Sequence, residues 1–227
     1  MKKHIPNTIT CLNLISGCIA TYFAFQSDCE LALLFIVIGA VFDFFDGMSA
    51  RLLHVSSPIG KELDSLADDI TFGFAPSAIV FSFLSGLHIH IPLLPFLAFV
   101  MAAFSALRLA KFNLDERQHY GFIGLPTPAN ALFWGSLVLS EHAFLVSLKF
   151  NAVFLFLFML LFCFLLVSEV PMLALKFKNF SWQDNKLRYI FLIGCLPLLL
   201  FAPCPLHLII LWYVAISIAF PRFVKSE

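Results

Sequence analysis

The chain has 227 residues, of which 61% are apolar and only 12% charged, with a mean hydropathy of +0.95. Water-soluble domains carry roughly 25% charged residues, so a soluble globular fold is excluded and an integral membrane protein is implied. The formal net charge is zero, which gives no sign of a nucleic-acid partner and leaves the distribution of charge as the informative quantity.

A helix needs roughly 20 apolar residues to cross about 30 Å of hydrocarbon. Eight runs meet or approach that length, at 8–25, 30–53, 62–86, 92–113, 126–141, 150–176, 187–202 and 206–220. The expected architecture is an all-α polytopic membrane protein, a single membrane domain over 1–227 with no room for a soluble one. The first run follows a basic start and is read as a retained span, because no small-residue cleavage site leads into anything soluble. Six cysteines, at 11, 18, 29, 163, 195 and 204, form no C-x-x-C pair and read as packing or lipid-facing thiols.

The second run carries "GAVFDFFDGMSARLL" near its end, placing Asp43, Asp46 and Arg51 where a span should still be running. Ionised groups inside a membrane cost several kcal/mol and face a partner, a cavity or a cation. The third run opens "GKELDSLADDITFGFAPS", with Asp64 and Asp68 four apart on one helical face, as Asp43 and Asp46 are three apart on theirs. The connection "LHVSSPIG" is short, so the two helices are antiparallel neighbours and the four carboxylates converge at one end. Bare, they would repel one another. Hard oxygen ligands suit Mg²⁺ or Mn²⁺, and two divalent ions would balance four negative charges, a set suited to phosphoryl transfer. On spacing alone, a structural or ion-path role for the same aspartates stands beside this.

Further along, "ALRLAKFN" puts Arg108, Lys111 and Asn113 at the end of the fourth run, and "FIGLPTPANA" opens the fifth with Gly124, Pro126 and Pro128. Phe154, Phe156, Phe158, Phe162 and Phe164 of the sixth run suit lipid contact or acyl-chain packing. His88 and His90, in a loop without Lys or Arg, read as an ordinary surface pair. Pro197, Pro203 and Pro205 crowd the last two runs. Of the 14 Lys and Arg, 13 fall at the termini or at even-numbered turns and only Lys149 at an odd one. That asymmetry predicts cytoplasmic termini whether or not the last hairpin crosses.

The aspartates stand in a fixed frame: Asp43-x-x-Asp46-Gly47-x-x-Ala50-Arg51, eight residues, Gly60, three residues, Asp64, three residues, Asp68. At all eight specified positions across 26 residues this resembles the signature of the CDP-alcohol phosphotransferase family. The resemblance implies a membrane-embedded enzyme that transfers a substituted phosphate from a CDP-linked donor to an alcohol, releasing CMP. It implies a six-helix catalytic core, here 5–176, with 187–220 as an added C-terminal hairpin. It also implies a homodimer in the cytoplasmic (inner) membrane whose site opens to the cytoplasm. By the same resemblance Asp43 and Asp64 would bridge two metals, Asp46 would bind one, and Asp68 would bind the other and act as general base. Gly47, Ala50, Arg51 and Gly60 would border the CDP moiety, with Ser57 near the diphosphate and Asn7 and Thr8 approaching the nucleotide. Asp69 lies outside the signature and reads as a supporting or structural residue.

The segments around the third, fourth and fifth runs, with the N-terminal "IPNTITCLN", resemble the serine-accepting branch of that family over about residues 5–135. The implied substrates are CDP-diacylglycerol and L-serine, with Arg108, Lys111 and Asn113 as candidates for the serine carboxylate or the donor phosphate. Two alternatives are glycerol 3-phosphate as acceptor for the same chemistry, and a transporter coupled to Mg²⁺ or protons.

Overall fold

The computed structural model describes residues 4–87, 91–115, 122–147, 151–175, 181–183, 185–201 and 204–220. His88, His90, Gly121, Pro203 and several of the counted basic residues (Lys2, Lys3, Arg117, Lys149, Lys176, Lys178, Arg222 and Lys225) lie outside them. The described chain is helical apart from one two-stranded bridge, and is an all-α polytopic membrane protein.

Helices α1 (His4–Phe25) and α2 (Cys29–Leu52) form an antiparallel hairpin packed along its length. Asp28 caps α2 by accepting from the Leu31 amide at 3.0 Å. The third span, Pro58–Gly86, is continuous but not uniform. It comprises α3 (Pro58–Asp68), a π-helical turn over Asp69–Phe74, and α4 (Ala75–Gly86). Ser57 accepts from the Gly60 amide at 3.0 Å, and Pro58 in the first turn has no amide to leave unpaired. Pro76 cannot donate to a carbonyl one turn back, and the wide turn immediately before it absorbs that missing bond. The fourth span runs through a 3₁₀ segment, Leu94–Phe99, into α5 (Val100–Leu114).

These four are long and apolar enough to cross a membrane. Shorter helices follow: α6 (Thr127–Ser140), α7 (His142–Ser147), α8 (Asn151–Val167), α9 (Lys186–Phe201) and α10 (Leu206–Ala219). α9 continues over Pro197.

One expectation is corrected. The sixth span was read as reaching 176, yet α8 stops at Val167 and Pro171–Met172 pairs antiparallel with Phe122–Ile123. Pro171 disfavours helix for the residue before it, and Val170 instead accepts from the Gly124 amide at 2.9 Å. Gly124 has φ +76°, and a side chain there would collide with the Leu166 carbonyl. The extended stretch is then held from the C-terminal hairpin. Tyr213 Oη donates to Leu173 O at 3.0 Å, Ser217 Oγ accepts from Leu173 N at 3.1 Å, and Arg188 Nε donates to Ala174 O at 2.8 Å.

The core has two characters. Between α1, α2 and the π turn it is small and polar: Gly17 and Gly39 both abut Thr71, where a side chain on either would clash, so the three backbones approach closely. Between α6 and α8 it is aromatic. Phe133 stacks on Phe162 with centroids 4.1 Å apart, and Trp134 and Phe158 pack edge-on around them. Phe158 and Phe162 thus fill the interior, while Phe154 and Phe164 remain exposed. All six cysteines are free, Cys11 and Cys18 exposed and Cys163 and Cys195 buried, as packing thiols would be.

Candidate active site

The spacing predicts that four carboxylates converge, and the hairpin brings three of them into one close group. Asp43 on α2 and Asp64 and Asp68 on α3 each offer a carboxylate oxygen, and these oxygens lie within 4.8 Å of one another. Among the described residues, no lysine or arginine is ion-paired to these three or to Asp46. A cluster of carboxylates without a basic partner fits a hard divalent cation, since like charges so close are otherwise repulsive.

Asp46, one turn beyond Asp43, is buried and receives a 2.6 Å hydrogen bond from Thr10 Oγ1 on α1. It lines a cleft of about 250 Å³ and lies outside the tightest group of oxygens. The cleft is lined by Asn7, Asp46, Gly47, Ala50, Ser57, Gly60 and Asp64 from the predicted set, together with Pro6, Thr10, Lys61 and the 55–56 backbone region. Gly47 faces open space, with no protein atom within 4 Å of where a Cβ would stand.

Two predicted residues lie apart from this cleft. Thr8 is exposed and donates back to His4 O at 2.9 Å, a bond within its own helix. Arg51 is exposed, and its Nε donates to Gly47 O at 3.0 Å, which leaves the rest of the guanidinium at the helix end.

The trio at the end of α5 is divided. Arg108 is 8% exposed and donates from Nη1 to Thr127 Oγ1 at 3.3 Å. Lys111, exposed, reaches Val167 O at 3.4 Å. Both line a second hollow of about 380 Å³ bounded by Ile123, Ser168 and Glu169. Asn113 points elsewhere, donating to Ser65 Oγ at 2.8 Å and accepting at its carbonyl from Lys61 Nζ at 2.8 Å. It ties α5 to α3 and does not share the hollow.

The structure adds a residue that sequence reasoning missed. Asn13, fully buried on α1, donates from Nδ2 to Asp68 Oδ1 at 3.1 Å, and Thr71 Oγ1 donates to the Asn13 carbonyl at 3.0 Å. Asp68 is thereby oriented from a different helix. The available signal was the stripe Thr10, Asn13, Gly17, Ala20 and Ala24, small or polar residues at three- and four-residue spacing that mark the buried face of α1.

Comparison with known proteins adds a separate line. The family profile of CDP-alcohol phosphatidyltransferases matches residues 3–177. A CDP-diacylglycerol–serine O-phosphatidyltransferase of Bacillus subtilis (strain 168) is 40% identical over 130 residues, covering 56% of this chain and 70% of the relative. The protein of the same name from Helicobacter pylori (strain ATCC 700392 / 26695) is 34% identical over 181 residues, 78% of this chain and 74% of the relative. One from Saccharomyces cerevisiae is 39% identical over 122 residues, 51% of this chain and 43% of the relative.

Proposed function

Because the chain belongs to the CDP-alcohol phosphatidyltransferase family, we propose that it transfers the phosphatidyl group of CDP-diacylglycerol to the hydroxyl of L-serine, giving phosphatidylserine and CMP. The observation that carries this reading is the convergence of Asp43, Asp64 and Asp68 beside a cleft walled by Gly47, Ala50 and Gly60. The serine acceptor is favoured by the names of the three relatives above.

Asp43, Asp64 and Asp68, with Asp46, would hold Mg²⁺ or Mn²⁺, in a two-metal set, and the bound cations supply Lewis-acid polarisation of the phosphoryl group. The cleft takes the CDP moiety. Gly47 leaves its wall flat enough for the nucleotide to lie against backbone, and Ser57, Asn7 and Gly60 line its far side. Arg51, at the helix end, offers its free guanidinium nitrogens to diphosphate oxygens. Asp68 accepts the hydroxyl proton while the serine oxygen bonds to the lipid phosphorus and the bond from that phosphorus to the CMP oxygen breaks. Asn13 keeps one Asp68 oxygen engaged and so fixes the direction of the other.

The site opens to the cytoplasm of the inner membrane in this reading, supported by the 13-to-1 placement of Lys and Arg. A homodimer is part of the same proposal. Purified protein in detergent, given CDP-diacylglycerol, Mg²⁺ or Mn²⁺, and serine, glycerol 3-phosphate or inositol phosphate in parallel, tests the function. CMP release that depends on serine is expected; release only with another alcohol sinks the acceptor assignment, and release with none sinks the reading altogether.

A further inference from the structure

A second polar cluster adjoins Asp68, and none of its members lines the CDP cleft. Ser105 and Arg108 sit one turn apart on α5, and Thr127 and Asn130 one turn apart on α6. The Arg108–Thr127 hydrogen bond links the two helices. Both helices pack on the π turn, where a Cβ on Gly73 would meet Asp69 Oδ1 at 2.6 Å and Ser105 Cβ at 2.8 Å. Arg108 is also within electrostatic reach of Asp68.

Beyond that bond, and the stacking of Arg108 over the Phe112 ring, several atoms of the cluster have no hydrogen-bond partner. Asp69 Oδ1, Ser105 Oγ, Arg108 Nε and both amide atoms of Asn130 are buried without a hydrogen-bond partner. Ser105 and Asn130 are 0% exposed. Buried polar atoms in folded proteins are almost always paired, and five such atoms in one neighbourhood point to a polar molecule that completes them. The cluster holds groups of both signs, the Arg108 guanidinium and the Asp69 carboxylate. That pattern matches a zwitterion better than it matches water or a phosphate.

We propose that Asp69, Ser105, Arg108 and Asn130 form the amino-acid subsite of the acceptor. Arg108 and the Asn130 amide nitrogen take the α-carboxylate, and Asp69 takes the α-ammonium. The acceptor hydroxyl is then left at Asp68, the neighbouring residue and the base. The inference rests on the serine reading above and deepens it. It replaces Lys111 and Asn113 as direct serine ligands: Lys111 lines, with Arg108, the hollow through which a water-soluble acceptor reaches the guanidinium, and Asn113 is a brace between helices. Discrimination follows from the same groups. A phosphorylated acceptor would set its charge against Asp69, and an amino alcohol without a carboxylate would leave Arg108 unpaired.

Two variants test the subsite in the full-length protein, Asn130→Leu and Asp69→Asn. The readouts are the KM for serine, the KM for CDP-diacylglycerol, and the thermal midpoint with and without L-serine. Asn130→Leu replaces an unpartnered amide by an apolar group of similar size. Its midpoint without serine should therefore be unchanged or raised, while the serine KM rises roughly ten- to a hundredfold and the donor KM stays put. Asp69→Asn should raise the serine KM by a similar factor, yet leave inhibition by 3-hydroxypropionate, which lacks the ammonium, as it is in the parent protein. A serine KM within twofold of the parent in either variant overturns the subsite, and the Asp69 variant decides if the leucine variant fails to fold. Failure of the parent protein to use serine at all would instead overturn the acceptor reading on which the subsite rests.

Discussion

The first four spans and the shorter helices after them bury different things. Residues 4–114 hide Thr10, Asn13, Asp46, Thr71, Ser77, Ser105 and Arg108 within long helices, and their backbones touch through glycines. Residues 127–219 hide large aromatic and aliphatic side chains, Phe133, Trp134, Phe162 and Met159 among them, and also Ser136, Asn185, Arg188, His207 and Ser217, in and beside shorter helices. Lipid is as apolar as leucine, so hydrophobicity alone does not draw transmembrane helices together; close packing and hydrogen bonds do. The front half uses hydrogen bonds such as Thr10 to Asp46 and Asn13 to Asp68, whose acceptors are carboxylates of the proposed site, and there the polar interior and the proposed chemistry coincide. The rear half uses ring packing between α6 and α8, with hydrogen bonds between Arg188, Tyr213 and Ser217 and the extended stretch, and it brings Thr127 and Asn130, at the first turn of α6, to the proposed acceptor subsite.

If this division is right, substitutions of similar size should have very different consequences in the two halves. The largest effect is expected at Asp68: Asp68→Asn should lower kcat at least about a thousandfold, as should chelation of divalent cations by EDTA, because the general base and a metal ligand are lost together. Binding of CDP-diacylglycerol by this variant, followed by equilibrium dialysis, should persist. Next comes Gly47→Leu. A Cβ there would meet no protein atom within 4 Å and Gly47 lines the cleft, so the protein should fold normally while kcat/KM for the donor falls roughly a hundredfold. Asn13→Leu removes one hydrogen bond to Asp68 and should cost about tenfold in kcat with the donor KM unmoved, since a hydrogen bond to a charged group contributes roughly that much. Phe162→Ala should barely change kcat per folded molecule, yet cost about 3 kcal/mol of stability through the cavity it leaves. A loss of kcat in Phe162→Ala as large as that in Asn13→Leu would erase the distinction between the halves.

Much of the front half could be read in advance because helical geometry turns spacing into position. Asp64 and Asp68 are four apart, Asp43 and Asp46 three apart, and the five residues 53–57 between α2 and α3 force antiparallel pairing. Those constraints place the carboxylates without any tertiary information. Asn113 was misplaced for the same reason in reverse. It is two residues beyond Lys111, about 200° further round α5, and so faces α3 while Lys111 faces the other hollow. Asn13 was invisible because one amide in an apolar run has no local partner; its meaning comes from Asp68, 55 residues later. The end of α8 was missed because an all-apolar segment shows no period that separates helix from extended chain. Gly124 and Pro171, distant in sequence, decide it together.

The exposed apolar side of α2 carries one more consequence. Val41, Phe44 and Phe45 are exposed on the same two turns that hold Asp43 and Asp46. The reacting phosphate of a diacyl donor can therefore reach the carboxylates while its tails stay among neighbouring lipids, which hold them by about 0.8 kcal/mol per methylene. Encounter is then a two-dimensional event. Turnover should follow the mole fraction of donor in the membrane or micelle, and diluting that surface with inert detergent at constant bulk donor concentration should slow the enzyme as effectively as removing substrate.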